Sequence, residues 1–245
     1  MEVSEERVEH MPIQIHQGNT APPTVANITI VIDVIRAFTV AHYAFLKGVK
    51  RIILAKDVEQ AFQLKMKNPD FLLAGEVNGL PIKGFDLDNS PYNMRSKNVA
   101  GKTLIQKTTN GVQATLQCLS SDHVFVTGYT NAKTTSQFIK HKFAKDQRKS
   151  INIIASHPSG DDDFACAQYI KSILENANAI SSKEVAKRIQ HSHVAKKFFD
   201  KSNPNFIPED MECCMIELDT GFVMKVRNND KIPMIERVNV CKKMS

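Results

Sequence analysis

The stretch Ala26-Asn27-Ile28-Thr29-Ile30-Val31-Ile32 is dominated by β-branched residues and runs directly into Asp33. Such a run is typical of a strand that is buried on both faces of a sheet. Residues 36–47 then place apolar side chains at helical spacing, and Gly48 provides a stop for that helix. The stretch therefore predicts a βα unit with a carboxylate at the tip of its strand.

The same βα rhythm continues along the chain. Residues 1–22 are polar and predict an N-terminal strand or arm. Further strands are predicted at 51–54, 71–74, 102–106, 123–127 and 151–155, and helices begin at Asp57, Asn110, Asn131 and Asp162. Residues 75–95 interrupt the rhythm with a long loop rich in Gly and Pro, which is typical of a functional segment. Repeated βα units predict an α/β sheet with helices on its faces.

The last third of the chain has a different character. Residues 181–201 predict one or two short helices. Three short strands are predicted at 211–216, 222–226 and 232–235, as an antiparallel addition or as an edge of the main sheet. The predicted fold class is α/β: a layered α/β/α sandwich with a mixed, largely parallel sheet and a small C-terminal β addition. We expect one domain over 1–245, divisible into a main βα core at 12–180 and a helical and short-strand part at 181–245.

Composition argues against several classes of protein. The longest apolar run, near 28–35, contains Asp33 and is far too short to span a bilayer. Residues 1–10 are acidic and do not read as a signal peptide. The five cysteines form no CxxC pair, which argues against a disulfide framework and against a structural zinc site. We therefore expect a cytoplasmic protein with no membrane partner.

The net charge of +6 raises a nucleic-acid hypothesis. The positive charge is concentrated at 133–149 and 183–201, which also read as helices with charged outer faces. A nucleic-acid binder would interleave aromatic side chains with these charges, whereas the four phenylalanines here are expected to face the core. A basic nucleic-acid-associated protein is therefore the weaker alternative, and nucleic acid is not the expected partner.

Four strand ends carry the polar groups from which we expect a site. The first delivers Asp33, followed by Arg36 and Thr39. Another delivers Glu76, and two later ends deliver the segments 108–111 and 156–163. In an open α/β sheet, ligands collect at the carboxyl ends of the strands. Carboxylates, a guanidinium and small hydroxyl or amide groups are therefore predicted to converge.

The carboxylates admit two interpretations. Asp33, Glu76 and the acidic run 161–163 offer the oxygen ligands that Mg²⁺ prefers. Alternatively, Asp33 pairs with Arg36, and the run 161–163 stabilises the N-terminus of a helix. From the residues alone, both interpretations stay open.

The turn 108–111 also admits two interpretations. Its small residues let a phosphate approach free backbone N–H groups at a helix N-terminus, although ordinary capping by Asn110 is an equal alternative. The segment does not have the spacing of a P-loop. Arg36 offers a bidentate fork to phosphate or sulfonate oxygens. Together these groups indicate an anion-binding, metal-assisted α/β enzyme.

At these same residues the sequence resembles the 2-phosphosulfolactate phosphatase (ComB-type) family. The resemblance is carried by Ile32-Asp33-Val34-Ile35-Arg36-Ala37-Phe38-Thr39, by Ala74-Gly75-Glu76-Val77-Asn78-Gly79-Leu80-Pro81-Ile82-Lys83-Gly84-Phe85-Asp86-Leu87-Asp88-Asn89-Ser90-Pro91, by Gln106-Lys107-Thr108-Thr109-Asn110-Gly111 and by Asn131-Ala132. The second motif is long and unusual, which makes a chance match improbable.

The resemblance implies Mg²⁺-dependent hydrolysis of 2-phosphosulfolactate to sulfolactate and phosphate, a step in coenzyme M biosynthesis. The expected catalytic residues are Asp33, Arg36 and Glu76. The expected substrate-binding residues are Arg36, Thr39, Asp86, Asn89, Ser90, Thr108, Thr109, Asn110 and Gly111. The expected Mg²⁺ ligands are Asp33, Glu76 and one of Asp162 or Asp163. Water is the favoured nucleophile, because a haloacid-dehalogenase-type enzyme would place a second aspartate at position 35, which is Ile35.

The expected partner is a small phosphorylated organic acid, and a homodimer is expected by analogy with the family alone. The remaining alternative is a non-catalytic homologue that binds an anionic metabolite. Such a homologue would have substituted metal-binding acids, whereas the acids are all present in this chain.

Overall fold

The computed structural model describes residues 11–144, 146, 148–177, 179–228 and 232–240. Ten strands are formed by Ile13–Gln17 (β1), Ile28–Ile32 (β2), Arg51–Leu54 (β3), Leu72–Val77 (β4), Leu80–Pro81 (β5), Thr103–Lys107 (β6), His123–Thr127 (β7), Ile151–Ala155 (β8), Phe222–Arg227 (β9) and Met234–Asn239 (β10). They build one sheet with the order β1-β8-β2-β7-β9-β10-β3-β6-β4-β5.

Helices pack on both faces of this sheet. They are Ala37–Leu46 (α1), Val58–Lys67 (α2), Pro91–Met94 (α3), Gly111–Gln117 (α4), Ala132–Phe143 (α5), Asp161–Leu174 (α6), Ser182–His191 (α7) and Pro208–Cys214 (α8), with 3₁₀ turns at Tyr129–Asn131 and Lys196–Phe199. Over the described ranges, none of these helices has the length and apolar character needed to cross a lipid bilayer. The predicted α/β fold with a mixed, largely parallel sheet is confirmed.

The two faces of the sheet bury different side chains because successive strand residues point to opposite sides. In β2, for example, Ile30 and Ile32 pack with α5 and α6 on one face, whereas Val31 packs with α1 and α4 on the other. Leu54 of β3 and Leu104 of β6 belong to the same apolar cluster as Val31, α1 and α4. Because strands from both parallel groups contact this cluster, the sheet curves around α1 and α4.

The C-terminal hairpin occupies the centre of the sheet, not its edge. Strands β9 and β10 pair antiparallel with each other and insert between β7 and β3. The prediction of an antiparallel C-terminal addition is confirmed, but an edge position is wrong. Because each of the three pairings β7–β9, β9–β10 and β10–β3 is antiparallel, the two parallel groups of strands run in opposite senses.

The strand predicted at 211–216 is also wrong. Residues 211–214 belong to α8, and residues 215–216 follow its end. This helix has Pro208 in its first turn together with the acidic Glu209 and Asp210. Proline at the first helical position and acids near the N-terminus both favour a helix. The error arose because a short apolar run does not distinguish a buried strand from a buried helical turn.

Sheet twist brings the ends of the two parallel groups together. Five strand-to-strand steps separate β2 from β6, and an ordinary twist of about 20–25° per step accumulates to roughly 100–125°. The carboxyl ends of β2 and β6 consequently meet, although the strands nominally run in opposite senses. A hydrogen bond confirms this contact, because the Gln106 amide donates to the Ala37 carbonyl at 3.0 Å.

Candidate active site

A pocket of about 310 Å³ lies where β2, β4 and β6 end. Its walls include the acids Asp33 and Glu76, the cations Arg36 and Lys197, and the neutral polar residues Asn89, Thr109 and Asn110. Of the strand-end groups predicted to converge, Asp33, Arg36, Glu76, Thr109, Asn110 and His157 line this cavity, whereas Thr39, Thr108, Asp162 and Asp163 do not. The pocket has the size and mixed polarity of a site for a small molecule.

Asp33 is held between the N-termini of two helices. Its Oδ1 accepts a hydrogen bond from the Ala37 N–H, and its Oδ2 accepts one from the Gly111 N–H, both at 2.9 Å. Ala37 and Gly111 are the first residues of α1 and α4. Since helix N-termini carry partial positive charge, this arrangement fixes the orientation of the carboxylate, which is only 6% exposed.

Gly111 allows Asp33 to approach α4 this closely. A Cβ atom at position 111 would lie 2.7 Å from Asp33 Oδ2 and 2.9 Å from Asp33 Cβ. Both distances are too short for ordinary contacts, so any larger residue at 111 would displace Asp33. The glycine of the Thr108–Gly111 turn is therefore required by the close approach of Asp33 to α4.

Glu76 is positioned by a tight hairpin turn between β4 and β5. Asn78 and Gly79 form the turn with positive φ angles of 53° and 83°, the conformation that favours an Asn-Gly pair in two-residue hairpins. The turn directs the Gly79 N–H to the Glu76 carboxylate, which also accepts hydrogen bonds from the N–H and hydroxyl of Thr109. Glu76 thus joins the end of β4 to the turn after β6.

Three acids at this site, Asp33, Asp162 and Asp163, are protonated more readily than usual. The pKa of Asp33 is raised to about 7, mainly by burial and further by the negative charges of Glu76 and Asp162. Burial also raises the pKa of Asp162 to about 6 and that of Asp163 well above its usual range. The ion pairs formed within the described parts of the chain include neither these three acids nor Glu76. Burial thus opposes ionisation of Asp33, Asp162 and Asp163, and a cation bound beside them would offset this cost.

This arrangement predicts how stability depends on pH. Without divalent cations, the free energy of unfolding is expected to fall by on the order of 2–4 kcal/mol as the pH rises from about 4 to about 7. The reason is that Asp33 and Asp162 keep their protons in the folded protein at pH values where the unfolded chain has lost them. Urea denaturation in EDTA at several pH values measures this slope. Asp33→Asn should flatten it, and an equal slope in both proteins would contradict the prediction.

Arg36 does not pair with Asp33. Its Nη1 donates to Asp210 Oδ2 at 2.7 Å, and its Nη2 donates to the Gly79 carbonyl at 3.0 Å. The alternative in which Asp33 is simply the counter-ion of Arg36 is therefore wrong. The guanidinium also stacks on Phe198 and Phe206, with its carbon 4.9 and 5.3 Å from the two ring centres.

Asp162 and Asp163, the two buried acids in the first turn of α6, do not line the pocket and differ in what they contact. Asp163 accepts hydrogen bonds on Oδ1 from the Val34 N–H and on Oδ2 from the Ser156 hydroxyl and the His157 N–H. Asp162 accepts one hydrogen bond, from the Ser192 hydroxyl. The carboxylate of Asp163 is therefore occupied by the protein, whereas Asp162 contributes charge close to Asp33.

Comparison with known proteins identifies the family of this chain. The family model described as 2-phosphosulpholactate phosphatase matches residues 13–229. The chain belongs to this family. It is 54% identical over 228 residues to a protein named "Probable 2-phosphosulfolactate phosphatase" from Bacillus subtilis (strain 168), covering 93% of this chain and 99% of that relative. A protein of the same name from Clostridium perfringens (strain SM101 / Type A) is 34% identical over 220 residues, covering 83% of this chain and 87% of that protein.

Membership of the 2-phosphosulfolactate phosphatase family confirms the resemblance seen in the sequence and the prediction of a phosphoric monoester hydrolase. The matched range contains Asp33, Arg36 and Glu76 together with the turn 108–111. It also contains 192–210, the segment that supplies the opposite wall of the pocket. The roles of individual residues stay predictions.

Several predicted substrate-binding residues of the family motifs lie outside the pocket walls. Thr39 is fully buried and donates to the Val34 carbonyl. Thr108 accepts a hydrogen bond from the Val112 N–H and so caps α4, whereas the side chain of Asn110 does not cap that helix. The capping alternative for Asn110 is therefore wrong, and Asn110 instead faces the pocket.

The segment 75–95, predicted as one long loop, contains the end of β4, β5 and α3. Its polar side chains connect it to neighbouring elements. Asp86 accepts hydrogen bonds from the Leu73 N–H and Lys65, and thereby ties the loop to β4 and α2. Ser90 caps α3 and donates to Asp210. Asn89 reaches the pocket wall, where its buried Oδ1 has no hydrogen-bond partner among the described residues. Of the three predicted loop residues, only Asn89 lines the pocket.

Lys197 and Asp210 are site residues that the sequence analysis does not identify. The pattern around Lys197 predicts a solvated basic helix face, and Asp210 lies beside the segment wrongly predicted as a strand. The Asn78-Gly79 pair was a usable signal, since Asn-Gly between apolar residues favours a hairpin. No local pattern could have revealed that Asp210 contacts Arg36 or that Lys197 lines the same pocket.

Proposed function

We propose that this chain is a Mg²⁺-dependent phosphatase that hydrolyses 2-phosphosulfolactate to sulfolactate and phosphate. One observation carries the proposal: Asp33 and Glu76 lie in one pocket, buried and without counter-ions in the described chain, on motifs of a phosphatase family. A buried, uncompensated pair of carboxylates is costly unless a cation binds to it.

The side chains of the pocket are suited to a Mg²⁺ ion that takes only part of its ligands from the protein. The described residues include no cluster of three His, Cys, Asp or Glu side chains that could hold a metal ion by themselves. Mg²⁺ is commonly held by one or two carboxylates, with waters and substrate phosphate completing its coordination. We therefore assign Asp33 and Glu76 as the protein ligands because both line the pocket, and we leave out Asp162 and Asp163 because neither lines it. The unpartnered oxygen of Asn89 offers a further neutral donor.

The pocket also has donors for the phosphoryl oxygens. Arg36 lines it, and the Asp210 and Gly79 contacts use only part of its five N–H groups. Thr109 and Asn110 line the adjacent wall. These groups would orient the phosphoryl group beside Asp33 and Glu76. Mg²⁺, when bound, supplies charge neutralisation at the phosphoryl oxygens and a water of lowered pKa.

Water remains the proposed nucleophile. Both carboxylate oxygens of Asp33 accept main-chain hydrogen bonds that fix its orientation. The next acids in space, Glu76 and Asp162, keep its surroundings negative. These features suit a carboxylate that holds a cation rather than one that attacks a dianionic phosphate.

Phosphate release from 2-phosphosulfolactate tests the proposal. We expect EDTA treatment to lower the rate by at least about 100-fold and added Mg²⁺ to restore it, since a metal contributes several kcal/mol to such a reaction. Isopropyl phosphate, which lacks both acid groups, serves as the comparison substrate. Release that is unaffected by EDTA would contradict the metal requirement. Failure to release phosphate from 2-phosphosulfolactate under any metal condition would contradict the activity.

A further inference from the structure

Lys197 is a cation in the pocket that forms no direct ion pair with a carboxylate of the described residues. The ion pairs formed within 11–144, 146, 148–177, 179–228 and 232–240 do not include it. Arg36, the other cation of the pocket, is already balanced by the fully buried Asp210. Lys197 is therefore the cation lining this pocket whose ammonium group has no direct ion pair with a carboxylate of the described residues.

The side chain of Lys197 is directed into the pocket by its neighbours. Its Nζ lies 4.6 Å from the ring centre of Phe206 and 5.8 Å from that of Phe198. A Cβ atom on Gly79 would lie 3.1 Å from the same Nζ, so the glycine leaves room for the ammonium group. These contacts hold the charged end of a half-buried lysine beside the hairpin that carries Glu76.

Two like charges share the aromatic platform of Phe198 and Phe206. Arg36 stacks on the same two rings. Burial and the charge of Arg36 lower the pKa of Lys197, although the charges of Glu76, Asp162 and Asp33 act in the opposite direction. An anion bound between Lys197 and Arg36 would relieve this repulsion.

Asp33 and Glu76 occupy the strand-end wall, whereas Lys197 belongs to the 3₁₀ turn Lys196–Phe199 on another wall. A volume of about 310 Å³ leaves room for a small organic acid beyond the phosphoryl group.

We propose that Lys197 binds the carboxylate or sulfonate on the leaving-group side of the substrate, and that it thereby sets the preference for phosphate esters of hydroxy acids. This inference rests on the proposed phosphatase function and deepens it. Lys197 is a specificity-determining residue in this view, and the phosphoryl group itself is bound at the Asp33 and Glu76 wall.

A substrate series tests the inference in the full-length protein. Lys197→Met keeps the apolar stem against Phe206 and removes the charge, whereas Lys197→Arg keeps the charge. We expect Lys197→Met to lower kcat/KM for 2-phosphosulfolactate by about 10- to 100-fold, as for the loss of a hydrogen bond to a charged group. Turnover of isopropyl phosphate should change by less than about twofold, and Lys197→Arg should restore most of the loss. The exposed Lys196→Met is the matched control.

The outcomes separate this inference from the proposed function. An equal loss on both substrates would place Lys197 at the phosphoryl group and overturn the inference, as would no loss on either. Calorimetry with sulfolactate, which lacks the phosphate, provides a second readout. If the wild-type protein hydrolyses neither ester but binds sulfolactate in a Lys197-dependent way, the phosphatase proposal fails and the inference stands. If hydrolysis occurs while sulfolactate binding is equal in wild type and Lys197→Met, the inference fails and the phosphatase proposal stands.

Discussion

Asp33→Asn is expected to lower kcat by at least about 10³-fold, because in the proposed mechanism it removes a carboxylate that holds Mg²⁺, and the interaction of such a cation with a transferring phosphoryl group is worth several kcal/mol. The amide keeps the size of the side chain but carries no charge. It can accept from only one of the Ala37 and Gly111 N–H groups, so the other is left without an acceptor. Steady-state hydrolysis of 2-phosphosulfolactate measures the effect.

A surface variant controls for the change of charge. Asp70→Asn removes the same charge at an exposed position and should change kcat by less than about twofold. Circular dichroism of both variants separates loss of activity from loss of folding. If folded Asp33→Asn keeps most of its activity, Asp33 is neither a metal ligand nor a catalytic group.

Asp210→Asn is expected to destabilise the protein by about 3–5 kcal/mol, since breaking a buried ion pair leaves an uncompensated charge. Asp210 is fully buried and accepts hydrogen bonds from Arg36, the Ser90 hydroxyl and the Tyr92 N–H. It thus links α8, the long loop at 75–95 and the guanidinium in the pocket. For a chain of this size the loss corresponds to a fall in Tm of roughly 10 °C.

A second ion pair provides the matched comparison. Asp161 pairs with Arg188 at the surface, where the two side chains are 46% and 25% exposed. Asp161→Asn should therefore cost below about 1 kcal/mol. Urea denaturation of both variants checks the difference. A similar loss in the two proteins would show that burial of the Arg36–Asp210 pair does not control its contribution.

The two residues changed in these predictions, Asp33 and Asp210, differ in how far the sequence alone could predict their importance. Asp33 was predictable because a carboxylate at the tip of an apolar strand is costly unless it has a special role. Asp210 was not, because its importance comes from Arg36, which lies 174 positions earlier in the chain. Hydrophobic periodicity reports which face of an element is buried, and it carries no information about such a distant partner.

Much of the fold followed from local patterns. The strands at 51–54, 123–127 and 151–155 coincide with β3, β7 and β8, because runs of β-branched residues between helix signals specify buried strands. The N-terminal arm contains β1, which pairs parallel with β8. The segment 211–216 failed because its apolar run was compatible with both helix and strand.

The sequence by itself determined the strand–helix order, the strand-end carboxylates Asp33 and Glu76, and the family to which they point. Only the tertiary structure decided that these acids meet. The hairpin of β9 and β10 separates two oppositely directed groups of strands, and accumulated twist returns their ends to one pocket. It likewise decided that Arg36 pairs with Asp210, while Lys197 lines the pocket without a direct ion pair among the described residues. Local sequence sets backbone conformation, whereas the balance of charge in a pocket depends on contacts between distant segments.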